Sequence, residues 1–194
     1  MSPLEIAAVI ISFLAIWLTA RRHMLCWPVG LLSCALYFKL FLDVRLYADM
    51  MLQILFGLSV LYGWWAWYRD RDGAGEVIIR RLSRTQAVAG LAAGALGSWA
   101  IGWFTSHYTD ASLPWIDATL SSFSLVAQYW TARRYPANWL LWIVVDVIYV
   151  GMFLFKALWL TAGLYAAMIA LAAIGYARWR KIARNRPTEG GTGA

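Results

Sequence analysis

Polar residues in this chain fall into short clusters, and between the clusters lie apolar runs of similar length. The runs cover residues 4–20, 25–42, 46–68, 86–105, 113–131, 138–155 and 158–177. An α-helix rises 1.5 Å per residue, so about 20 apolar residues cross the hydrocarbon layer of a bilayer. The pattern therefore predicts seven membrane-spanning helices. The breaks are Arg21-Arg22-His23, Asp43-Val44-Arg45, residues 69–84, residues 106–112, Arg133-Arg134-Tyr135-Pro136 and Lys156-Ala157. The opening Met-Ser-Pro-Leu-Glu has neither a basic n-region nor a small-residue cleavage site, so the first run reads as a retained helix. The Gly-rich end, 187–194, is expected to have no fixed fold.

Composition supports the membrane reading. Of the 194 residues, 62% are hydrophobic and only 14% charged, well on the apolar side of the soluble norm. Thirteen Trp and ten Tyr supply rings that favour the lipid–water interface. The net charge of +7 could point to nucleic acid, so its distribution decides. With the N-terminus outside, fourteen Lys/Arg fall on the inner side and only Lys39, Arg45 and Lys156 lie near outer ends. This positive-inside pattern predicts an N-out, C-in protein of the inner membrane and accounts for the basic balance without a polyanion. Arg178, Arg180, Lys181, Arg184 and Arg186 then read as an interfacial anchor.

An ungapped offset of 112 residues, the distance from Trp27 to Trp139, superposes the chain on itself. Arg21, Arg22, Trp27, Tyr37, Phe41, Gly63 and Trp67 fall on Arg133, Arg134, Trp139, Tyr149, Phe153, Gly175 and Trp179. Ser12 and Thr19 fall on Ser124 and Thr131, and Glu5 faces Asp117. A three-helix unit followed directly by its copy would leave the copy inverted. The additional run 86–105 restores direction, so the expected architecture is two parallel three-helix repeats joined by a linker helix, three plus one plus three, as in the SWEET class. The expected divisions are 1–68, 69–112, 113–180 and a basic tail 181–194. Gly90, Gly94 and Gly97 with Ala92, Ala93 and Ala95 give the linker a small-residue face for close packing.

Differences between the halves are the better guide to function. On the fifth helix Asp117, Ser121, Ser124, Gln128 and Thr131 share a face. Such a stripe either lines a water-filled path or hydrogen-bonds neighbouring helices, and spacing does not choose between them. On the sixth helix Trp142 and Asp146 sit one turn apart, where the first half has Gly30 and Cys34. A carboxylate inside a membrane helix costs roughly 2.5–3.5 kcal/mol on insertion scales, so it usually lines a cavity or binds something. Beside a Trp face it suits a flat cationic heteroaromatic; a structural hydrogen bond or a protonated carboxyl is the bland alternative. Asp49, Gln53 and Trp64 on the third helix, and Thr161 and Tyr165 on the seventh, are further candidates, with Gln53 and Tyr165 equivalent under the offset.

Leu46-Tyr47-Ala48-Asp49 with Leu52-Gln53, Tyr62-Gly63-Trp64-Trp65-Ala66-Trp67, and Asn138-Trp139-Leu140-Leu141-Trp142 through Asp146-Val147-Ile148 resemble the PnuC-type bacterial vitamin transporters over nearly the whole chain. The resemblance implies a homotrimer that takes up nicotinamide riboside by facilitated diffusion to supply NAD biosynthesis. It implies substrate contacts at Gln53, Trp142, Asp146 and Tyr165; Thr161 and Gln128 join them as candidates from the residue reading. Two positions depart from the family pattern. Riboside transporters have Trp-x-x-x-Asn where this chain has Trp142-x-x-x-Asp146, and tend to have Asn where Val60 stands. Relatives of this fold carry thiamine, riboflavin or deoxynucleosides; thiamine, also cationic, is the second candidate.

An embedded enzyme would need a nucleophile with its base, or metal ligands. His23 and His107 are predicted on opposite membrane faces, and Cys26 and Cys34, two turns apart on one helix, are too distant for a disulfide. No Gly-rich phosphate loop precedes a helix, so neither ATP-driven pumping nor a bound cofactor is expected. A purely structural membrane subunit would show no solute flux.

Overall fold

The structure is a computed structural model that describes residues 3–43, 47–70, 77–109, 113–155 and 159–185. These described residues form seven helices: α1 (Pro3–Ala20), α2 (Cys26–Asp43), α3 (Tyr47–Arg69), α4 (Arg84–Tyr108), α5 (Pro114–Ala132), α6 (Ala137–Phe155) and α7 (Trp159–Asn185). Each apolar run has become one helix. The exception in length is α7, which continues eight residues beyond the apolar run at Ala177. Trp179 is wholly buried there, Ile182 and Ala183 pack on the core, and Arg180, Lys181 and Arg184 face out, so an amphipathic turn extends the span. Residues 187–194 lie outside the described residues, as do Arg45 and Lys156.

Among the described residues five helices are long and apolar enough to cross a membrane: α1, α2, α3, α4 and α7. α5 is diluted by its polar residues. The reason is position. α5 packs against α3, α4 and α6, so its polar face is turned into the bundle and away from lipid.

Packing respects the 112-residue offset. Within each half the contacts run α1 on α2 on α3, and α5 on α6 on α7; between halves α3 meets α5 and α1 meets α7, pairs that exchange under the offset. The linker α4 stands outside this ring and touches α5 alone among the described helices. Its glycines explain how. A Cβ at Gly94 would lie 2.7 Å from the Phe123 ring, and one at Gly90 2.8 Å from Trp130, so these aromatic rings lie directly on the α4 backbone. Ser122 donates to the Gly94 carbonyl at 2.9 Å and closes the contact. A capping box between Ser83 and Gln86 starts α4.

Corresponding turns end α1 and α5. Arg22 and Arg134 both adopt left-handed backbone, with φ of 59° and 65°. Their N–H groups bond the Thr19 and Thr131 carbonyls at 2.9 Å, and those of His23 and Tyr135 reach back to Leu18 and Trp130. These are Schellman caps.

Four tryptophans fill the core at the same end of the bundle. Trp27 meets Trp67 edge to face at 5.0 Å, Trp139 meets Trp179 likewise at 5.5 Å, and Trp67 and Trp179 meet each other at 5.9 Å. Gly63 and Gly175 make room: a Cβ on either would lie 2.0 Å from the Trp27 ring or 2.7 Å from the Trp139 ring.

Candidate functional site

Between the two halves lies a partly open cavity of about 540 Å³, within the range usual for small-molecule sites. Its walls come from corresponding positions. Ser12, Ile16, Thr19, Trp27, Gly30, Cys34, Tyr37 and Gln53 line it from the first half, and Ser124, Gln128, Thr131, Trp139, Trp142, Asp146, Tyr149 and Tyr165 from the second. On α5 the lining runs from Asp117 to Thr131, about 20 Å of helix. Trp27 and Trp139 form the floor on the Arg22/Arg134 side.

Gln53, Gln128, Trp142, Asp146 and Tyr165, predicted from four different helices, meet in this one cavity. The side chains of Thr161 and Asp49 lie outside the described residues. Trp64 does not line the cavity and is partly exposed on the outer surface of the bundle. Of the five residues of the α5 stripe, Asp117, Ser124, Gln128 and Thr131 line the cavity, while Ser121 is buried and does not line it.

Asp146 is the chemical centre. It sits midway along α6, 5% exposed, and no hydrogen-bond or ion-pair partner reaches it among the described residues. Trp142 lies one turn below. Tyr165 is in electrostatic reach of Asp146, Tyr149 and Tyr37, and its ring lies 4.8 Å from that of Tyr149. Facing this group, the Ser12 and Ser33 hydroxyls are hydrogen-bonded at 2.6 Å across α1 and α2. A carboxylate among aromatic rings, with hydroxyls opposite, can hold a cationic ring on one side and hydroxyl groups on the other.

Tyr37, Tyr149 and Ser12 are lining residues that the comparison of halves does not single out. They match under the offset, and matched positions had been read as scaffold. Their periodicity carried the signal, since Ser12, Ile16 and Thr19 have the same spacing as Ser124, Gln128 and Thr131.

Comparison with known proteins agrees with this geometry. The PnuC nicotinamide riboside transporter of Escherichia coli is 26% identical over 96% of this chain and 88% of its own length. The riboflavin/roseoflavin transporter RibM of Streptomyces davaonensis is 30% identical over 88% of this chain and 81% of its own length. The crystal structure of the vitamin B3 transporter PnuC superposes with a TM-score of 0.76 at 24% identity, covering 95% of this chain and 83% of that one, and so shares its fold. Both curated relatives are transporters, not enzymes. Residues 2–181 match the family model described as nicotinamide mononucleotide transporter, and the chain belongs to that family of bacterial multi-pass membrane transporters.

Proposed function

We propose that this protein takes up nicotinamide riboside across the bacterial inner membrane by facilitated diffusion, with its N-terminus outside and its C-terminus in the cytoplasm. The observation that carries the reading is the Asp146 carboxylate, without a hydrogen-bond or ion-pair partner among the described residues, inside an aromatic-lined cavity. A cationic pyridinium ring supplies the charge that this carboxylate lacks, Trp142 offers it a face, and the ribose hydroxyls meet Ser12, Gln53 and Gln128. The PnuC relatives support the substrate, and the absence of a phosphate loop supports passive movement. Assembly as a homotrimer, and descent from two parallel repeats at 1–68 and 113–180, belong to the same reading. The paired contacts α3–α5 and α1–α7 support the second of these.

Thiamine is the second reading, favoured by Asp146 standing where riboside transporters carry Asn. Riboflavin, the cargo of the RibM relative, is uncharged and leaves the carboxylate without a counter-charge. Purified protein in liposomes, offered labelled nicotinamide riboside, thiamine and riboflavin separately with and without a pH gradient, is the test. Nicotinamide riboside is expected to equilibrate fastest without a gradient. Preference for riboflavin, or no flux of any of the three, overturns the substrate; acceleration by the gradient replaces passive with coupled transport.

A further inference from the structure

The floor of the cavity is sealed by more than helices. Beneath Trp27 and Trp139 lie Trp67 and Trp179, both wholly buried, and against this cluster pack Val77 and Ile79 from the segment between α3 and α4, 3% and 6% exposed. A connection on the aqueous side of a membrane protein has no intrinsic reason to bury two β-branched side chains. Here they complete the apolar plug.

The same segment is held by both halves. Arg22 donates to the Val77 carbonyl at 2.9 Å. Arg134, 1% exposed, donates to the Asp70 carbonyl at 2.9 Å and to the Asp70 carboxylate at 2.6 Å. Arg80 adds a second guanidinium on that carboxylate at 3.0 Å, and its N–H bonds the Arg134 carbonyl at 3.1 Å. Both holding arginines occupy left-handed cap positions, where glycine would fit at lower conformational cost. What arginine adds there is its fork of donors. That it stands at both caps, each time reaching the same segment, gives the strained position a use.

We infer that Asp70, Val77 and Ile79, clamped by Arg22 and Arg134, form the inner seal of the transport path, and that solute leaves toward this face only when the Asp70–Arg134 clamp parts. One arginine comes from each half, so any motion of the halves against each other must break or stretch these bonds. The inference rests on the cavity and the clamp and does not depend on which solute is carried.

The two cysteines supply the readout. Cys34 lines the cavity at the position equivalent to Asp146 in the other half, and Cys26, next to Trp27, lines it nearer the floor. In a Cys26→Ala background a membrane-impermeant maleimide can reach Cys34 only through the cavity. It is applied to intact spheroplasts and to inverted vesicles, so that each face is sampled. Asp70→Asn is expected to speed labelling several-fold from the face bearing Arg134 and not from the opposite face; Asp70→Glu, which keeps the charge, stays near the unaltered rate. Val77→Ala, which thins the plug without touching the ion pair, is expected to act in the same direction and guards against a folding defect in the first variant. Unchanged labelling from the Arg134 face in folded Asp70→Asn and Val77→Ala, or an equal rise from both faces, overturns the inference.

Discussion

Replacing Asp146 with Asn keeps the size and an acceptor oxygen but removes the charge. In the cavity a monovalent cationic ring at about 4 Å would gain about 4 kcal/mol of Coulomb attraction at an effective dielectric of 20. Stripping water from both ions offsets part of that, and hydrogen bonds to charged groups retain a net of about 1.5–3 kcal/mol. At 1.4 kcal/mol per tenfold, half-saturation for the cation should rise roughly 10- to 150-fold. Among the described residues Asp146 has no hydrogen-bond or ion-pair partner to leave stranded, so the substitution should not lower thermal stability. The assay is counterflow in liposomes, with concentration series for nicotinamide riboside and thiamine and the melting temperature of the detergent-solubilised variant alongside. Asp146→Ala should weaken uptake at least as much. Equal half-saturation in wild type and both variants would remove Asp146 from the path and the cationic substrate with it.

Gln128→Leu, which restores the apolar character of its counterpart Ile16, should fold normally and slow uptake about 2- to 10-fold through one lost neutral hydrogen bond; an unaltered concentration series refutes the contact. Gly63→Ala places a methyl group 2.0 Å from the Trp27 ring, whereas Gly30→Ala meets nothing nearer than Val60 at 3.9 Å. Overpacking costs about 1–3 kcal/mol, so the first should lower the melting temperature and the second should not; equal melting temperatures contradict the packing. Asp70 lies outside the spanning helices. Its hydrogen bond from Arg134 holds its carboxyl below the usual range against a smaller opposing effect of burial, with Arg69 and Arg80 adding to the lowering. A depressed folded value means that the stabilisation is complete above the unfolded pKa of about 4 and is lost as pH falls through the depressed value. The melting-temperature gap between wild type and Asp70→Asn should hence stay constant from about pH 5 to 8 and close only in stronger acid; a gap that closes near neutrality contradicts the clamp.

Hydropathy alone determined the seven helices, because a bilayer demands apolar runs of one length and penalises charges within them. The 112-residue offset was equally legible, since Arg-Arg, Trp, Gly and Trp recur in order and each has a backbone or packing duty in its copy: the left-handed cap, the floor, the glycine beneath it. Gln53, Gln128 and Asp146 could be picked out from sequence because a polar residue at membrane depth is conspicuous. Sequence could not say which faces converge, and that is a matter of rotation and crossing of helices far apart in the chain. Only the tertiary structure put Tyr37, Tyr149 and Ser12 on the cavity wall and moved Trp64 and Ser121 off it. Only it showed that Val77 and Ile79, set in a polar-looking connection at 69–84, are buried against the tryptophans, with Arg22 bonded to Val77 and Arg134 to Asp70. Local pattern reports what a residue must avoid, water or lipid; which residue it meets is decided when the two halves close on each other.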